Sequence, residues 1–390
     1  MTESKIERRD FIKYAVGGVV GLGIGAAGYF SSNSQVQPLK NEVDKLKADQ
    51  GALGYVLGAD GSIATIDLAL GKLLASSGST WISDAGSIDW CNHYPDKNGN
   101  IWGLVRKDGK GSAVAVNPST NEKVHEVQLD GRWRIRLGET DKEGKYGYML
   151  NGLIADKYPN EQFSASRDEF EIPYEDIEPG VVHKIDLLNG TVVGKLDVPK
   201  FSCDVAIAPD GKLWLTNQLE SLLTVVDTNS FTVEEHLATD YYDYGGSMIT
   251  ISPNNDVAFI EVNSGANWSN AGGFKNKDPI EMVWDIKSKE IIKEFPLEAG
   301  PRTSEFTPDG KYVMVRTRPA LIVYDVGSLI EVTKIEIENA GHPAFSPDSS
   351  LAYIPNPGNS AVDILEVGSF KKLDSIKLPH SPSKIVPVKK

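Results

Sequence analysis

A short apolar run closed by an acid or amide returns seven times along this chain. It reads IATIDL at Asp67, VAVN at Asn117, HKIDL at Asp186, TVVD at Asp227, MVWD at Asp285, LIVYD at Asp325 and VDILE at Glu366. The successive separations are 50, 69, 41, 58, 40 and 41 residues. The fullest unit is residues 201–240. Val205 and Ile207 mark a first apolar run there, Leu213 to Asn217 a second, Leu222 to Val226 a third, and Thr232 to Leu237 a fourth that alternates with period two. Pro209-Asp210-Gly211 joins the first pair: Pro presets φ and Gly accepts a positive φ. Four short strands with tight turns in 40 residues predict one antiparallel sheet. Such a sheet cannot cover both its faces, but stacked copies cover one another. Seven copies at a base period near 40 predict an all-β fold, a seven-bladed β-propeller of four-stranded antiparallel blades.

The two ends of the repeat region predict how the ring closes. Gly54 to Thr80 holds only three strands, whereas Pro382 to Pro387 reads as an extra innermost strand. A C-terminal strand completing the first blade removes the open edges. The expected blades are 54–80 with 382–388, 83–129, 130–200, 201–240, 241–300, 301–341 and 342–381. Two blades are overlong, and both insertions fall between the second and third strands. Leu153 to Gly180 carries eight acids against Lys157 and Arg167, while Asn263 to Asp278 is rich in Gly and Asn. Loops on a rigid scaffold are where binding groups gather. The acidic insertion has carboxylates for Ca²⁺ but lacks D-x-D-x-D-G spacing, which favours a solvated loop.

The GPRTSEFTPDGKYVMV and VYDVGSLIEVTKIEI segments resemble the YVTN-type propeller repeat of extracytoplasmic proteins. That resemblance spans about residues 54–388 and implies the fold; these repeats serve enzymes, cofactor domains and binding surfaces alike. Glu7-Arg8-Arg9-Asp10-Phe11-Ile12-Lys13 resembles a twin-arginine (Tat) export signal. Arg8, Arg9, Phe11 and Lys13 match that pattern, whereas Glu7 and Ile12 depart from it. Tyr14 to Phe30 follows without a charge and with six glycines, as in weakly hydrophobic signal segments. The expected organisation is a signal or membrane anchor over 1–30, a polar linker with a short helix over 31–53, and the propeller over 54–390. The resemblance implies a periplasmic or cell-surface protein, with N-terminal membrane contact.

Composition removes several function classes. A net charge of −14 without a basic stripe argues against nucleic acid as a partner. Two cysteines exclude a disulfide-rich scaffold and an all-cysteine zinc site. No CxxCH, G-x-S-x-G, P-loop or H-E-x-x-H is present.

Aligning the blades on their first turns predicts a polar ring at the mouth of the central channel. Cys91 and Cys203 each lie eleven residues before a tryptophan, Trp102 and Trp214. Ser247 and Arg302 share that position, and Asn92, Asp204 and His342 fall one residue later. His93, Arg134 and His380 lie close by. Such a ring suits an anion, a metal or a flat cofactor, with Cys91, His93, Cys203, Asp204, His342 and His380 as candidate metal donors. The bland alternative is small and polar residues lining a wet channel. A Cys91–Cys203 disulfide would need Cα atoms within roughly 7 Å. His125 and His236 are expected on outer strands as solvated surface residues.

The expected function is that of an exported binding or scaffold protein that takes a protein or small molecule on its channel face. Two alternatives stand beside it, the first motivated by twin-arginine export together with the Cys/His/Arg ring. One is a redox protein with a haem-type or metal cofactor, similar to the haem d1 or quinoprotein-associated propellers. The other is a lactonase-like hydrolase.

Overall fold

The computed structural model describes residues 53–68, 71–79, 88–90, 95–107, 110–130, 135–154, 177–200, 202–217, 222–238, 248–262, 280–298 and 303–388. The expected signal and the expected linker up to residue 52 lie outside them, and Leu53, expected in the linker, begins the first strand. The described residues form 28 strands in seven four-stranded sheets. β1 (Leu53–Leu57), β2 (Ile63–Asp67) and β3 (Lys72–Ser77) begin the first blade. The second blade is β4 (Ile88–Trp90), β5 (Ile101–Lys107), β6 (Lys110–Asn117) and β7 (Glu122–Gln128). The third is β8 (Ile135–Thr140), β9 (Tyr146–Ile154), β10 (Ile177–Asp186) and β11 (Thr191–Lys200). The fourth is β12 (Ser202–Ile207), β13 (Leu213–Asn217), β14 (Leu222–Asp227) and β15 (Thr232–Ala238). The fifth is β16 (Met248–Ile251), β17 (Val257–Val262), β18 (Ile280–Asp285) and β19 (Glu290–Pro296). The sixth is β20 (Ser304–Phe306), β21 (Tyr312–Arg316), β22 (Ala320–Asp325) and β23 (Ile330–Glu336). The seventh is β24 (Ala344–Phe345), β25 (Leu351–Asn356), β26 (Ala361–Glu366) and β27 (Lys372–Lys377). β28 (Lys384–Val388) then pairs antiparallel with β1 and completes the first blade from its inner side.

Apolar packing closes the ring. Seven separate core clusters each join two neighbouring blades. The cluster across the seam packs Val56, Ala64 and Ile66 against Tyr353, Val362 and Ile364. The Tyr353 hydroxyl also donates to the Leu68 carbonyl there. Ser383 N donates to Leu57 O at 2.7 Å, which anchors the last strand. Second strands such as β13 and β17 are buried along their length because blades cover both faces. Outer strands such as β15 alternate exposed and half-buried residues, since only one face is covered.

In five blades the acid or amide that marks the third strand accepts from backbone amides of the turn behind it. Asp227 Oδ1 accepts from Asn229 N at 2.9 Å and Ser230 N at 2.7 Å. Asp325 accepts from Ser328 N at 2.9 Å and Asn117 from Ser119 N at 2.9 Å. These bonds hold the carboxyls of Asp227, Asp285 and Asp325 below the usual range. The residue that re-enters the sheet has a positive φ in every blade: Gly71, Asn121, Gly190, Phe231, Lys289, Leu329 and Phe370. A register shift follows in all seven blades, so the repeat includes a β-bulge.

Both insertions do join second to third strands. The first is shorter than expected. Ile177 pairs with Ile154 and Glu178 with Leu153, so the strands run on into the acidic segment. Residues 155–176 and 263–279 lie outside the described residues, and so does the expected Ca²⁺ loop.

Candidate functional site at the channel mouth

The first strands of neighbouring blades touch one another and surround the channel. Asp204 stands near the start of β12 and is 2% exposed. Its Oδ1 accepts from Val205 N at 2.8 Å and its Oδ2 from Ile249 N of the next blade at 3.0 Å. Burial raises its carboxyl to about 7 against the pull of those two amides; the charge of Glu139 adds to the rise and that of Lys384 opposes it. Thr250 Oγ1 donates to Ser304 O at 2.6 Å and links the fifth blade to the sixth in the same manner.

His342 sits just before β24. Its backbone N donates to Ser383 O at 2.9 Å, and it forms a parallel bridge with Lys384. The preceding residue must be glycine, because a Cβ on Gly341 would lie 2.3 Å from Ser383 O and 2.6 Å from Pro355 Cβ. His342 Nδ1 lies 3.4 Å from Thr303 Oγ1 and 3.4 Å from Glu305 Oε1. Arg316, at the end of β21, donates to Thr303 Oγ1 at 2.6 Å and to Ala340 O at 3.0 Å. Burial pushes the imidazole down to about 3; the charges of Arg316 and Lys384 reinforce this and Glu305 opposes it. The ring is therefore neutral near pH 7, although 21% of the side chain is exposed.

Hydrogen bonds link His342 with Thr303, Glu305 and Arg316, and the charges of Lys384, Arg316, Glu305 and Glu139 act on His342 or Asp204 from the first, third and sixth blades. Asp204 and His342 were expected at the mouth. Cys203 is buried beside Asp204 on β12. His380 is not among the groups that act on His342. Burial lowers its pKa, it bonds the Val56 carbonyl, and it feels the charge of Asp60 in the turn after β1. Cys91, Asn92, His93, Arg134, Ser247 and Arg302 lie outside the described residues, as do Arg8, Arg9, Phe11 and Lys13. Among the described residues, no three His, Cys, Asp or Glu side chains gather as metal donors. His236 is exposed as expected. His125 is instead half-buried and stacks over Trp102 at 6.0 Å.

The turn alignment missed Lys384, Glu305, Arg316 and Glu139. Glu305 lies two residues further along its strand than the aligned position, so a period-two reading would have reached it. Lys384 begins the strand expected to close the ring. Arg316 reaches in from a second strand and leaves no first-strand signal.

No family model and no curated protein matches the chain. Solved structures share its fold. A 6-phosphogluconolactonase candidate from Bacteroides uniformis superposes with a TM-score of 0.59 at 12% identity, over 87% of this chain and 100% of that one. Apo AztD from Citrobacter koseri gives 0.54 at 14% identity, over 86% and 97%. Kuenenia stuttgartiensis hydrazine synthase gives 0.53 at 15% identity, over 75% and 87%. At these identities the likeness is one of fold.

Proposed function

We propose that the chain is an exported binding protein that holds a small polar ligand at the channel mouth. One observation carries this reading: acidic, basic and neutral titratable groups from separate blades act on one another there. Lys384 and Arg316 are buried at 3% and 6% exposure. Charges of both signs act on Asp204 and His342, a setting suited to a ligand that carries both an acidic and a hydroxyl or amino group. The neutral His342 can accept or donate one hydrogen bond without a charge change. Export rests on the resemblance of residues 7–13 to the twin-arginine pattern, and the YVTN-like repeat is in keeping with an extracytoplasmic site.

Thermal unfolding against a panel of hydroxy acids, amino acids, sugar phosphates and polyols tests the binding reading. One class should raise the melting temperature, and Lys384→Met should abolish that rise while the protein stays folded. A panel with no effect, or an undiminished response in the variant, contradicts it. The redox and lactonase-like readings rest on fold kinship; a colourless protein that leaves lactones intact would set both aside. Replacing Arg8 and Arg9 with Lys should stop export, because the arginine pair is read by a receptor and the charge is unchanged. Normal export of that variant contradicts the twin-arginine reading.

A further inference from the structure

We propose that Glu305 fixes His342 as a hydrogen-bond acceptor at Nε2, and that this acceptor selects a ligand hydroxyl, so that the channel mouth takes hydroxy acids and rejects the matching amino acids. The inference rests on the reading of the channel mouth as a binding site. Two oxygens converge on the Nδ1 edge of the ring, Glu305 Oε1 and Thr303 Oγ1, each at 3.4 Å. Glu305 acts on the ring as a negative charge. An ionised carboxylate only accepts, so a lone pair on Nδ1 would oppose it. Thr303 Oγ1 already accepts from Arg316 at 2.6 Å and has a second lone pair for Nδ1–H. The network therefore assigns the proton to Nδ1 and the lone pair to Nε2.

Nε2 of His342 makes no hydrogen bond among the described residues. Unlike Nε2 of His380 it is not enclosed, and 21% of the side chain is exposed, so a ligand can reach that edge of the ring. A bare ring nitrogen asks for an O–H or N–H donor. The surroundings decide between them. Arg316 stands one hydroxyl away from the imidazole, through Thr303. Lys384 is the bridge partner of His342. Each of these positive charges acts on the ring more strongly than the charge of Glu305 does. An ammonium brought to Nε2 would meet both as like charges, whereas a hydroxyl donates without adding charge. The same cations favour the ligand's acid group.

Nitrogen-15 NMR of the full-length protein at about pH 7, where an ordinary histidine is mostly neutral, tests this. The signal that His342→Gln removes should show a protonated Nδ1 and a bare Nε2. Glu305→Leu should spread the proton onto Nε2, and Glu305→Gln, which keeps an acceptor oxygen, should hold it on Nδ1. The wild-type tautomer decides the matter if Glu305→Leu does not fold. Lactate, malate and gluconate are then titrated beside their amino twins alanine, aspartate and glucosaminate, with melting temperature as a second readout. The hydroxy acid that raises the melting temperature should shift the Nε2 resonance, and its amino twin should bind about tenfold or more weakly. A wild-type ring protonated on Nε2 overturns the proposal, as does an unchanged tautomer in Glu305→Leu. A stabilising compound that leaves Nε2 unmoved, or an amino twin that binds as well, overturns it while the binding reading stands. A set that moves neither readout overturns both.

Discussion

The buried titratable groups respond to pH in opposite directions. His342 is held near 3 in the fold against an ordinary 6.5, so the unfolded chain takes its proton first as pH falls. Its contribution is present above about pH 6.5 and is lost between there and pH 3. Asp204 and Glu281 are raised to about 7 and about 8, so the fold keeps their protons longer than the unfolded chain does. Their contribution is present at low pH and is lost as pH rises to 7 and 8. Replacing Glu281 with Gln should therefore remove a pH-dependent loss. Between pH 5 and 8 the wild type should fall relative to Glu281→Gln by an amount on the order of a few kcal/mol, since each pKa unit is worth about 1.4 kcal/mol. Urea unfolding at the two pH values measures it, and a pH-independent difference would refute the buried, protonated carboxyl. Gly341→Ala should cost about 2 kcal/mol or more in the same assay, because backbone atoms block the added methyl. Turn alignment singled out Asp204 and His342 because it marks one rung of each first strand. It was blind to Lys384, whose neighbours come from blades remote in sequence, and to Glu281, whose burial depends on the sixth blade.

Among elements, the turn behind each third strand explains why the repeat could be read at all. The acid or amide there supplies an acceptor for the turn amides, so the backbone conformation dictates the residue type. Asp325→Ala should lower stability by about 0.5–1 kcal/mol, the worth of one or two exposed hydrogen bonds, measured by chemical unfolding. The insertions were legible by their excess length, but their ends were set by cross-strand pairs such as Ile177 with Ile154, which length cannot show. β28 was legible from the missing fourth strand of the first blade. Deleting residues 380–390 removes the partner of β1 and uncovers Val56 and Tyr55, so the melting temperature should drop by many degrees. An unchanged melting temperature would mean that this strand does not hold the ring closed.

For the whole molecule, ring closure turns residues scattered from Glu139 to Lys384 into neighbours. Seven blade interfaces fix the first strands, and those strands set the geometry of the channel mouth. The central claim is that groups from different blades form one electrostatically coupled site there. The most direct measurement is the titration of His342, followed by nitrogen-15 NMR of its imidazole in wild type and in Lys384→Met. The wild-type ring should stay neutral to below about pH 4, and removing the Lys384 charge should raise its pKa measurably. A ring that titrates near 6.5 in both proteins would show that His342 is solvated and uncoupled, and the channel-mouth site would be lost with it.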